Sequence, residues 1–553
     1  MKSFLKTILT KYEIILLLVL ASVLRFYFLD NKPPHHDEAI NGWFVNKMWE
    51  DGFFNYDPTN YHGPFLFYLF QLGRFFFGYG ISPMRAMTAL FNLFTIVFVL
   101  YWFFKNKINR PDQFFSTAST ERWICWALAF SPAMIFYSRS AIHESFFVFF
   151  QIIFFAGCIN TLFAEEKSHR QSGFIYLIIG AFGCLANKET FILNVIATLV
   201  ACMIIFSKSF MKPAKLGKEV MNTARVYFAE SKIQKVFYLT LAFFVLLYSG
   251  FGRDLHSLAD FFNAFLPWTK TGVAGAGHNK PFIFWAELIF RYESYALVGM
   301  ILCISLFMNV KTRTKWTSVF ALILGLIYSA IPYKTPWCLM SIVWPFMAVL
   351  GFVVEDFSGL GESKTIEKSK SKSNKEKLKN EIRSDNWGLV LNNKIFATVF
   401  LVLPIFSAVY WIYVTSIRSP IDMKHPFVYV QTQYDVNGII ANLNNSINPL
   451  KLHQKILIST EEGWPFPWIL ENYSAVVYQP IRLVTDLDFV DVSVGLVDEG
   501  QETVFDKRLM GEFWKCKVQI RDSRIDAFIY FNKKDFPTIE ELKPEFYVAG
   551  ESR

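Results

Sequence analysis

Residues 32–43 read KPPHHDEAINGW and place two histidines and two carboxylates shortly after a strongly apolar segment. Asp37 and Glu38 are adjacent, where a loop leads into residues with near-helical apolar spacing. A carboxylate there can take a proton from a hydroxyl group as its oxygen attacks an electrophilic carbon, which is general-base chemistry. The alternative is local: Asp37 occupies an N-cap-like position, and Glu38 adds a favourable interaction with the helix dipole.

Cations in other loops form a second set of candidate residues. Arg139 lies in YSRSAIHES with His143 and Glu144, and Lys188 precedes Glu189 in ANKETF. The other cations of this set are Arg253, Lys280 and Lys334. A single Lys or Arg at the end of a membrane span commonly has no function beyond extending its charged group into water. Five in loops that otherwise hold few cations indicate an anionic ligand, for which phosphate or pyrophosphate is the natural candidate.

The histidines admit a metal site as an alternative. The residues that could converge on a metal are His35, His36, His62, His143 and His278, with Asp37 or Glu38. However, HHDE matches no tight metal-ligand motif, and the convergence of loops cannot be derived from sequence. We therefore expect no metal ligands and no cofactor, and a divalent metal stays the open alternative.

The composition indicates that lipid is the main solvent of these residues. Of 553 residues, 53% are hydrophobic and 18% are charged, and phenylalanine alone occurs 61 times. A single soluble core stops growing at roughly 250–300 residues, and long apolar runs recur along most of this chain. The sequence predicts a polytopic α-helical membrane protein. The approximate centres of its eleven predicted spans are 21, 94, 130, 152, 178, 197, 243, 297, 322, 345 and 403.

Loop charge predicts the orientation of these spans. Lys and Arg concentrate in the N-terminal head, the loop after the second span and residues 207–235, 311–315 and 364–383. With eleven spans, all of these segments fall on one side, which the positive-inside rule makes cytoplasmic. Eight of the nine histidines, all but His169, then lie on the outer face. The protein is expected in the cell (inner or plasma) membrane, with a cytoplasmic N-terminus.

The predicted domains follow from this layout. Residues 1–355 form a transmembrane catalytic domain with amphipathic helices in its outer loops, and 356–392 form a cytoplasmic Lys/Ser-rich linker. Residues 393–414 form the last span, and 415–553 form an extracytoplasmic α/β domain. In that domain the sequence predicts a helix in 434–447 and β-rich runs at 455–460, 475–480, 487–497 and 524–531.

The order of these motifs resembles the GT-C glycosyltransferase superfamily. The resemblance rests on HDEA after the first span, then YHGPFLFYL, YSRSAIHES, ANKETF, IPYKTPW, HPFVYVQTQYDV and WPFPWIL, and it covers nearly the whole chain. Relatives in that superfamily include protein O-mannosyltransferases and the aminoarabinose transferases that modify lipid A. The whole set in this order is typical of an uncharacterised prokaryotic branch.

The resemblance implies transfer of a sugar from a polyprenyl-phosphate donor to an acceptor on the outer face, with inversion at the anomeric carbon. The acidic residue of the superfamily's first loop falls on Asp37, with Glu38 beside it. Arg139, Lys188 and Lys334 match the phosphate-binding cations by position. Membrane lipids and a protein, lipid or glycan acceptor are the other expected partners, and no nucleic acid is expected. The first loop has no clear DxD, which argues against a metal-dependent, oligosaccharyltransferase-like mode.

Two other classes of protein stay open at this stage. A transporter or flippase component that handles lipid-linked glycans would also have charged span ends and an outer cavity. It would favour polar residues at the midplane, discontinuous helices and inverted repeats, and the sequence shows no convincing repeat. A non-catalytic scaffold whose tail binds an envelope partner is the third class.

Overall fold

The fold is described from a computed structural model of the chain. It describes residues 2–30, 32–60, 62–108, 113–116, 119–210, 213–274, 278–358, 403–445, 455–460, 463–473, 475–521 and 526–548. Most of the predicted linker 356–392, the beginning of the last predicted span and part of the glycine-rich stretch 271–281 therefore lie outside the described residues.

Helices make up most of the described chain. The first nine are α1 (Lys2–Phe26), α2 (His36–Asp51), α3 (Phe65–Phe77), α4 (Ile81–Asn106), α5 (Thr120–Ala129), α6 (Pro132–Ser138), α7 (Glu144–Phe163), α8 (Lys167–Leu185) and α9 (Phe191–Ile205). The next nine are α10 (Ser207–Phe210), α11 (Pro213–Phe228), α12 (Ser231–Tyr248), α13 (Ser257–Asn263), α14 (Phe265–Ala274), α15 (Phe284–Tyr292), α16 (Ser294–Leu302), α17 (Thr312–Ala330) and α18 (Leu339–Phe357). The last four are α19 (Leu403–Ile412), α20 (Asp435–Asn444), α21 (Phe466–Ile469) and α22 (Glu502–Arg508).

Fewer helices than the eleven predicted spans are long and apolar enough to cross a membrane. Among the described residues there are four, Ile81–Asn106, Glu144–Phe163, Ser231–Tyr248 and Pro336–Phe357. A fifth span results if Phe284–Tyr292 and Ser294–Phe307, which are bent by 116°, count as one. Other predicted spans are interrupted or charged. The third divides into α5 and α6, because Ser131 caps a new helix that begins with Pro132.

The chain divides into two compact units. Unit one contains Met1–Tyr27, Asp51–Gly78 and Pro83–Arg418, and unit two contains Phe28–Glu50, Tyr79–Ser82 and Ser419–Arg553. The predicted boundary at 415 lies close to the division at 418. The short segments before residue 83 differ from the prediction, because residues 28–50, which include Asp37, belong to the same unit as the C-terminal residues 419–553.

Close helix packing in unit one depends on small residues. A Cβ atom at Gly180 of α8 would lie 2.4 Å from the backbone nitrogen of Phe154 in α7, so this contact requires a glycine. Phenylalanines fill the adjoining space, with Phe147 and Phe150 of α7 packed with Phe191 of α9. This packing fixes the ends of α7, α8 and α9 and therefore the position of the short loops that connect them.

Unit two contains a mixed six-stranded sheet. Its strands are β1 (Lys455–Ser459), β2 (Val476–Tyr478), β3 (Val492–Asp498), β4 (Glu512–Gln519), β5 (Asp526–Asn532) and β6 (Pro544–Val548). The order is β2-β1-β3-β5-β4-β6, with β1 parallel to β2 and β3 and the other pairs antiparallel. Helix α20 covers one face through Val436, Ile439 and Leu443, and Phe505 of α22 packs on the other. The predicted helix and four strand runs lie at α20, β1, β2, β3 and β5.

Candidate active site

Two of the sequence motifs are paired by backbone hydrogen bonds in unit one. The N–H of Gly63 donates to the carbonyl of Asn187 at 3.0 Å, and the N–H of Phe65 donates to the carbonyl of Ala186 at 3.1 Å. A Cβ atom at Gly63 would lie 2.2 Å from the Ala186 carbonyl oxygen, so only glycine permits this approach. The structure therefore places the beginning of α3 against the short connection between α8 and α9.

This pairing brings together three of the predicted site residues. His62 Nδ1 lies 3.4 Å from Glu189 Oε2, and the rings of His62 and His143 are 4.5 Å apart. Burial, followed by electrostatic interactions with His62 and Lys188, holds the pKa of His143 well below its ordinary value, which favours the neutral form. Its Nε2 atom and Glu189 Oε1 are buried without a hydrogen-bond partner among the described residues.

Lys188 forms a buried ion pair with Glu144. The Lys188 Nζ atom donates to Glu144 Oε1 at 2.7 Å, and both side chains are almost completely buried. The same oxygen accepts a weaker hydrogen bond from the thiol of Cys338 at 3.6 Å. Lys188 thus neutralises a protein carboxylate, which reduces the positive charge that it can offer to a bound phosphate.

Arg139 lies directly after α6 and is close enough to the guanidinium of Arg85 to interact with it electrostatically. Arg139 Nη1 donates to the carbonyl of Ser416 at 3.2 Å. The charge of Arg85 on α4 acts on Arg139, and both residues are buried. Two buried like charges repel each other, and an anion bound near them would relieve that repulsion. Sequence reasoning missed Arg85, although an arginine within an apolar span is itself an indication of function.

Lys334 is held next to residues 278–280. Its N–H donates to the carbonyl of His278 at 3.1 Å, and the N–H of Lys280 donates to the carbonyl of Pro332 at 3.2 Å. Its ammonium group donates to the carbonyls of Lys280 and Ile331. An ammonium group has three N–H donors, and the described residues accept two of them from this buried cation.

Arg253 is not part of these buried groups. It is exposed, it donates to the carbonyl of Asp51 at 3.2 Å, and its guanidinium lies 5.5 Å from the centroid of the Phe53 ring. Gly52, which has a φ of 75°, allows this contact. The structure thus places Arg253 as a surface contact of the first loop, whereas Arg139, Lys188 and Lys334 are buried.

In unit two, His35 caps helix α2. The N–H of Asp37 donates to His35 Nδ1 at 3.0 Å, and His35 Nε2 lies 2.6 Å from the carbonyl of Tyr429. A carbonyl oxygen can only accept, so Nε2 carries the proton and Nδ1 is the acceptor. Burial is the main cause that lowers the pKa of His35. The neutral form is thereby favoured, in agreement with both hydrogen bonds.

The two adjacent carboxylates have different environments. Glu38 is completely buried, and its Oε2 accepts from the N–H of His35 at 2.8 Å, as in the reciprocal half of a capping box. The Asp37 side chain is 37% exposed, and its Oδ1 lies 3.0 Å from His36 Nδ1. The expected N-cap-like position of Asp37 is wrong, because α2 begins at His36 and His35 is the cap. Capping is thus done by His35 and Glu38, and Asp37 reaches solvent.

The candidate metal ligands are divided between the two units. His35 and His36 belong to unit two, His62 and His143 lie together in unit one, and His278 packs its ring on Tyr333. Within the described ranges, no group of three or more His, Cys, Asp or Glu residues is arranged to hold a metal ion.

Comparisons with known proteins support the fold. No protein-family model matches the chain, and no curated protein matches its sequence. The structure is similar to ArnT, an aminoarabinose transferase from Cupriavidus metallidurans, bound to undecaprenyl phosphate, with a TM-score of 0.54 and 13% identity over 93% of this chain and 97% of ArnT. The apo state of ArnT gives a TM-score of 0.53 and 12% identity over 94% and 98%.

A third similarity is weaker. The oligosaccharyltransferase of Archaeoglobus fulgidus, in complex with Zn and sulfate, has a TM-score of 0.47 and 10% identity over 91% of this chain and 71% of that protein. ArnT is a member of the GT-C superfamily, and the similarity to it covers both units. The resemblance predicted from the motifs is therefore confirmed for the fold: the chain has a GT-C-like membrane fold with a small C-terminal sheet.

Proposed function

We propose that the protein is a glycosyltransferase that moves a sugar from a polyprenyl-phosphate donor to the hydroxyl group of an acceptor, with Asp37 as general base. The main observation behind this proposal is that Asp37 and Glu38 differ in exposure: Asp37 is partly exposed, and Glu38 is buried and hydrogen-bonded to the N–H of His35. A partly exposed carboxylate on the first turn of a capped helix can meet a substrate. The fully buried carboxylate beside it is occupied by its own helix.

The proposed reaction is a displacement at the anomeric carbon of the donor sugar. The acceptor oxygen attacks the anomeric carbon from the side opposite the phosphate, and the bond between that carbon and the phosphate oxygen breaks. Asp37 takes the proton of the acceptor hydroxyl group, and the polyprenyl phosphate leaves with the electron pair. Because the attack occurs opposite the leaving group, the configuration at the anomeric carbon inverts.

Arg139, Lys188 and Lys334 are proposed to bind the donor phosphate. Arg139 has the strongest support, since Arg85 adds a second buried guanidinium charge near it. Lys334 is a buried cation, and the described residues accept two of its three N–H donors. Lys188 acts more indirectly, because its ion pair with Glu144 is already formed. Cations beside the leaving phosphate stabilise the negative charge that develops in the transition state.

The donor class rests on chemistry and on the similarity of fold. ArnT was crystallised with undecaprenyl phosphate, and a GT-C-like fold with apolar helices suits a prenyl chain. A lipid-linked sugar is already activated, so the reaction needs no nucleotide. The transferred sugar is a hexose or a pentose, and the acceptor is a hydroxyl group of a protein, a lipid or a glycan.

Transport of a lipid-linked glycan is a second candidate, and one observation favours it. The pair α15 and α16 is bent by 116°, and a buried carboxylate, Glu293, lies at the break. Discontinuous helices with charges at the break are typical of transporters. However, Glu293 accepts from Ser131 Oγ at 2.8 Å and from the N–H of Ala133 at 2.7 Å. These bonds cap α6, so the carboxylate has a structural use.

The experiment that separates the two functions uses purified protein in detergent micelles, where there are no compartments. A panel of radiolabelled polyprenyl-phosphate sugars is offered with water-soluble and lipid acceptors, and the product is analysed by NMR for its anomeric configuration. We expect label in an acceptor product of inverted configuration. If no donor gives a product, and if the donor is translocated in reconstituted vesicles, the protein is a transporter and not a glycosyltransferase.

A further inference from the structure

Three hydrogen bonds, two of them fully buried, join the residues just before α2 to segment 427–433 of the C-terminal domain. Thr432 Oγ1 donates to the carbonyl of Pro34 at 2.5 Å, and Gln431 Nε2 donates to the carbonyl of Pro33 at 3.1 Å. His35 Nε2 donates to the carbonyl of Tyr429 at 2.6 Å. Proline has no N–H group, so Pro33 and Pro34 can join the tail only through their carbonyls.

The tail segment is itself fixed on the sheet. The N–H of Gln433 donates to the carbonyl of Ile520 at 3.0 Å, directly after β4. Val430 lies between the residues that bind His35 and Pro33, and its φ of 53° is strained for a β-branched side chain. A residue stays in such a conformation only when its surroundings determine it strongly.

Further along α2, a second contact fixes the direction of the helix. The ring of Trp468 packs on Gly42, where a Cβ atom would lie 2.5 Å from the ring. The helix that carries Asp37 is thus held at its first residues by segment 427–433 and near its middle by Trp468. Both contacts come from the tail, whose role the sequence left open.

We infer that the C-terminal domain is the positioning unit for the candidate base, with Gln431, Thr432 and His35 as positioning residues that set the location of Asp37. This inference rests on the proposed function for its catalytic meaning. Its structural part, that the tail holds the first turn of α2, is independent of which reaction occurs. The domain would then be required for the chemical step and not only for selection of an acceptor.

The test combines hydrogen exchange with kinetics on the full-length protein. In Thr432→Val, which removes only the hydroxyl donor, we expect about tenfold faster amide exchange in the first turn of α2, since local opening frees the amides of Asp37 and Ala39. We expect kcat to fall about tenfold while KM for the donor stays constant, because the base acts in the transition state. Thr432→Ser keeps the donor and should restore both values.

The matched control is Thr485→Val, which removes a hydroxyl bond to Asp488 in the same unit and touches none of residues 33–38. It should leave the exchange of α2 unchanged. Unchanged exchange of α2 in Thr432→Val would overturn the inference. Faster exchange of α2 in a protein whose wild type transfers no sugar would support the positioning role and refute the proposed function.

If Thr432→Val loosens the whole sheet, amide exchange also becomes faster in peptides from β3 and β5. In that case the variant His35→Asn tests the inference, because it changes no residue of the C-terminal domain 419–553. Asparagine keeps the capping acceptor but is too short to reach Tyr429. Faster exchange in the first turn of α2 with an unchanged sheet would support the inference, and unchanged exchange in that turn would overturn it.

Discussion

At the scale of single residues, Lys188 has two competing roles that a double substitution separates. Lys188→Met leaves Glu144 as a buried, unpaired carboxylate, which should destabilise the protein by about 3–5 kcal/mol. In the double variant Lys188→Met/Glu144→Gln, most of that loss should be recovered in thermal unfolding. If Lys188 also binds the phosphate, the double variant regains stability but not transfer activity. Equal recovery of both would limit Lys188 to a structural role.

His35 gives the first turn of α2 a defined pH dependence. Its folded pKa is lowered, chiefly by burial, against the opposing charges of Asp37 and Glu38 and with a further lowering by His36. The stabilisation is therefore complete above the unfolded pKa of about 6.5 and is lost as the pH falls through the lowered folded value. Hydrogen exchange of the first turn, corrected for intrinsic rates, should accelerate in acid. His35→Asn should remove that dependence, and an equal acceleration in the variant would contradict this account.

At the scale of elements, Gly63 tests whether the pairing of 62–65 with 186–187 forms the site. In Gly63→Ala the new methyl group meets a backbone carbonyl that cannot rotate away. The His62–Glu189 contact should open, and transfer should fall more than about tenfold, as small displacements of positioning groups do. Gly325→Ala is the control, because a Cβ atom there meets Phe346 at an ordinary 3.7 Å. Similar activities of the two variants would show that the pairing is dispensable.

The elements show where sequence reasoning succeeds and fails. The β-rich runs at β1, β3 and β5 predicted strands correctly, and these strands are buried along most of their length because both faces of the sheet are covered. The run EFWKCKVQ of β4 contains three charged residues, and it was missed. Hydropathy could not show the break between α5 and α6, which Ser131 and Pro132 create inside a continuous apolar run. The pairing of the first loop with 427–433 depends on side-chain bonds between residues about 400 positions apart, which no local pattern encodes.

At the scale of the whole molecule, the orientation in the membrane remains a prediction from charge. The basic segments should lie in the cytoplasm and the tail outside, since cytoplasmic loops retain Lys and Arg. An alkaline phosphatase fused after residue 553 should be active, and a fluorescent protein fused there should be dark. The opposite result would reverse the orientation and would place Asp37 and the tail in the cytoplasm.

Of the candidate site, the sequence identified residue types and their motifs but not their division of roles. Asp37 and Glu38 are adjacent carboxylates with similar chemistry, so the sequence does not indicate which of them is the base. The hydrogen bonds of His35 in the structure distinguish their roles. The three cations are likewise similar in the sequence, but their partners differ. Lys188 pairs with a carboxylate, Arg139 donates to a carbonyl near a second guanidinium, and Lys334 donates to two carbonyls.

The measurement that tests the central claim most directly compares Asp37→Asn with Glu38→Gln in the transfer assay, at equal abundance in the membrane. Loss of a general base should lower kcat by at least about 100-fold in Asp37→Asn. Glutamine at position 38 can still accept the His35 amide, as in other capping boxes, so Glu38→Gln should stay within about threefold of wild type. Full activity of Asp37→Asn, or a greater loss in Glu38→Gln, would contradict the assignment of Asp37 as the base.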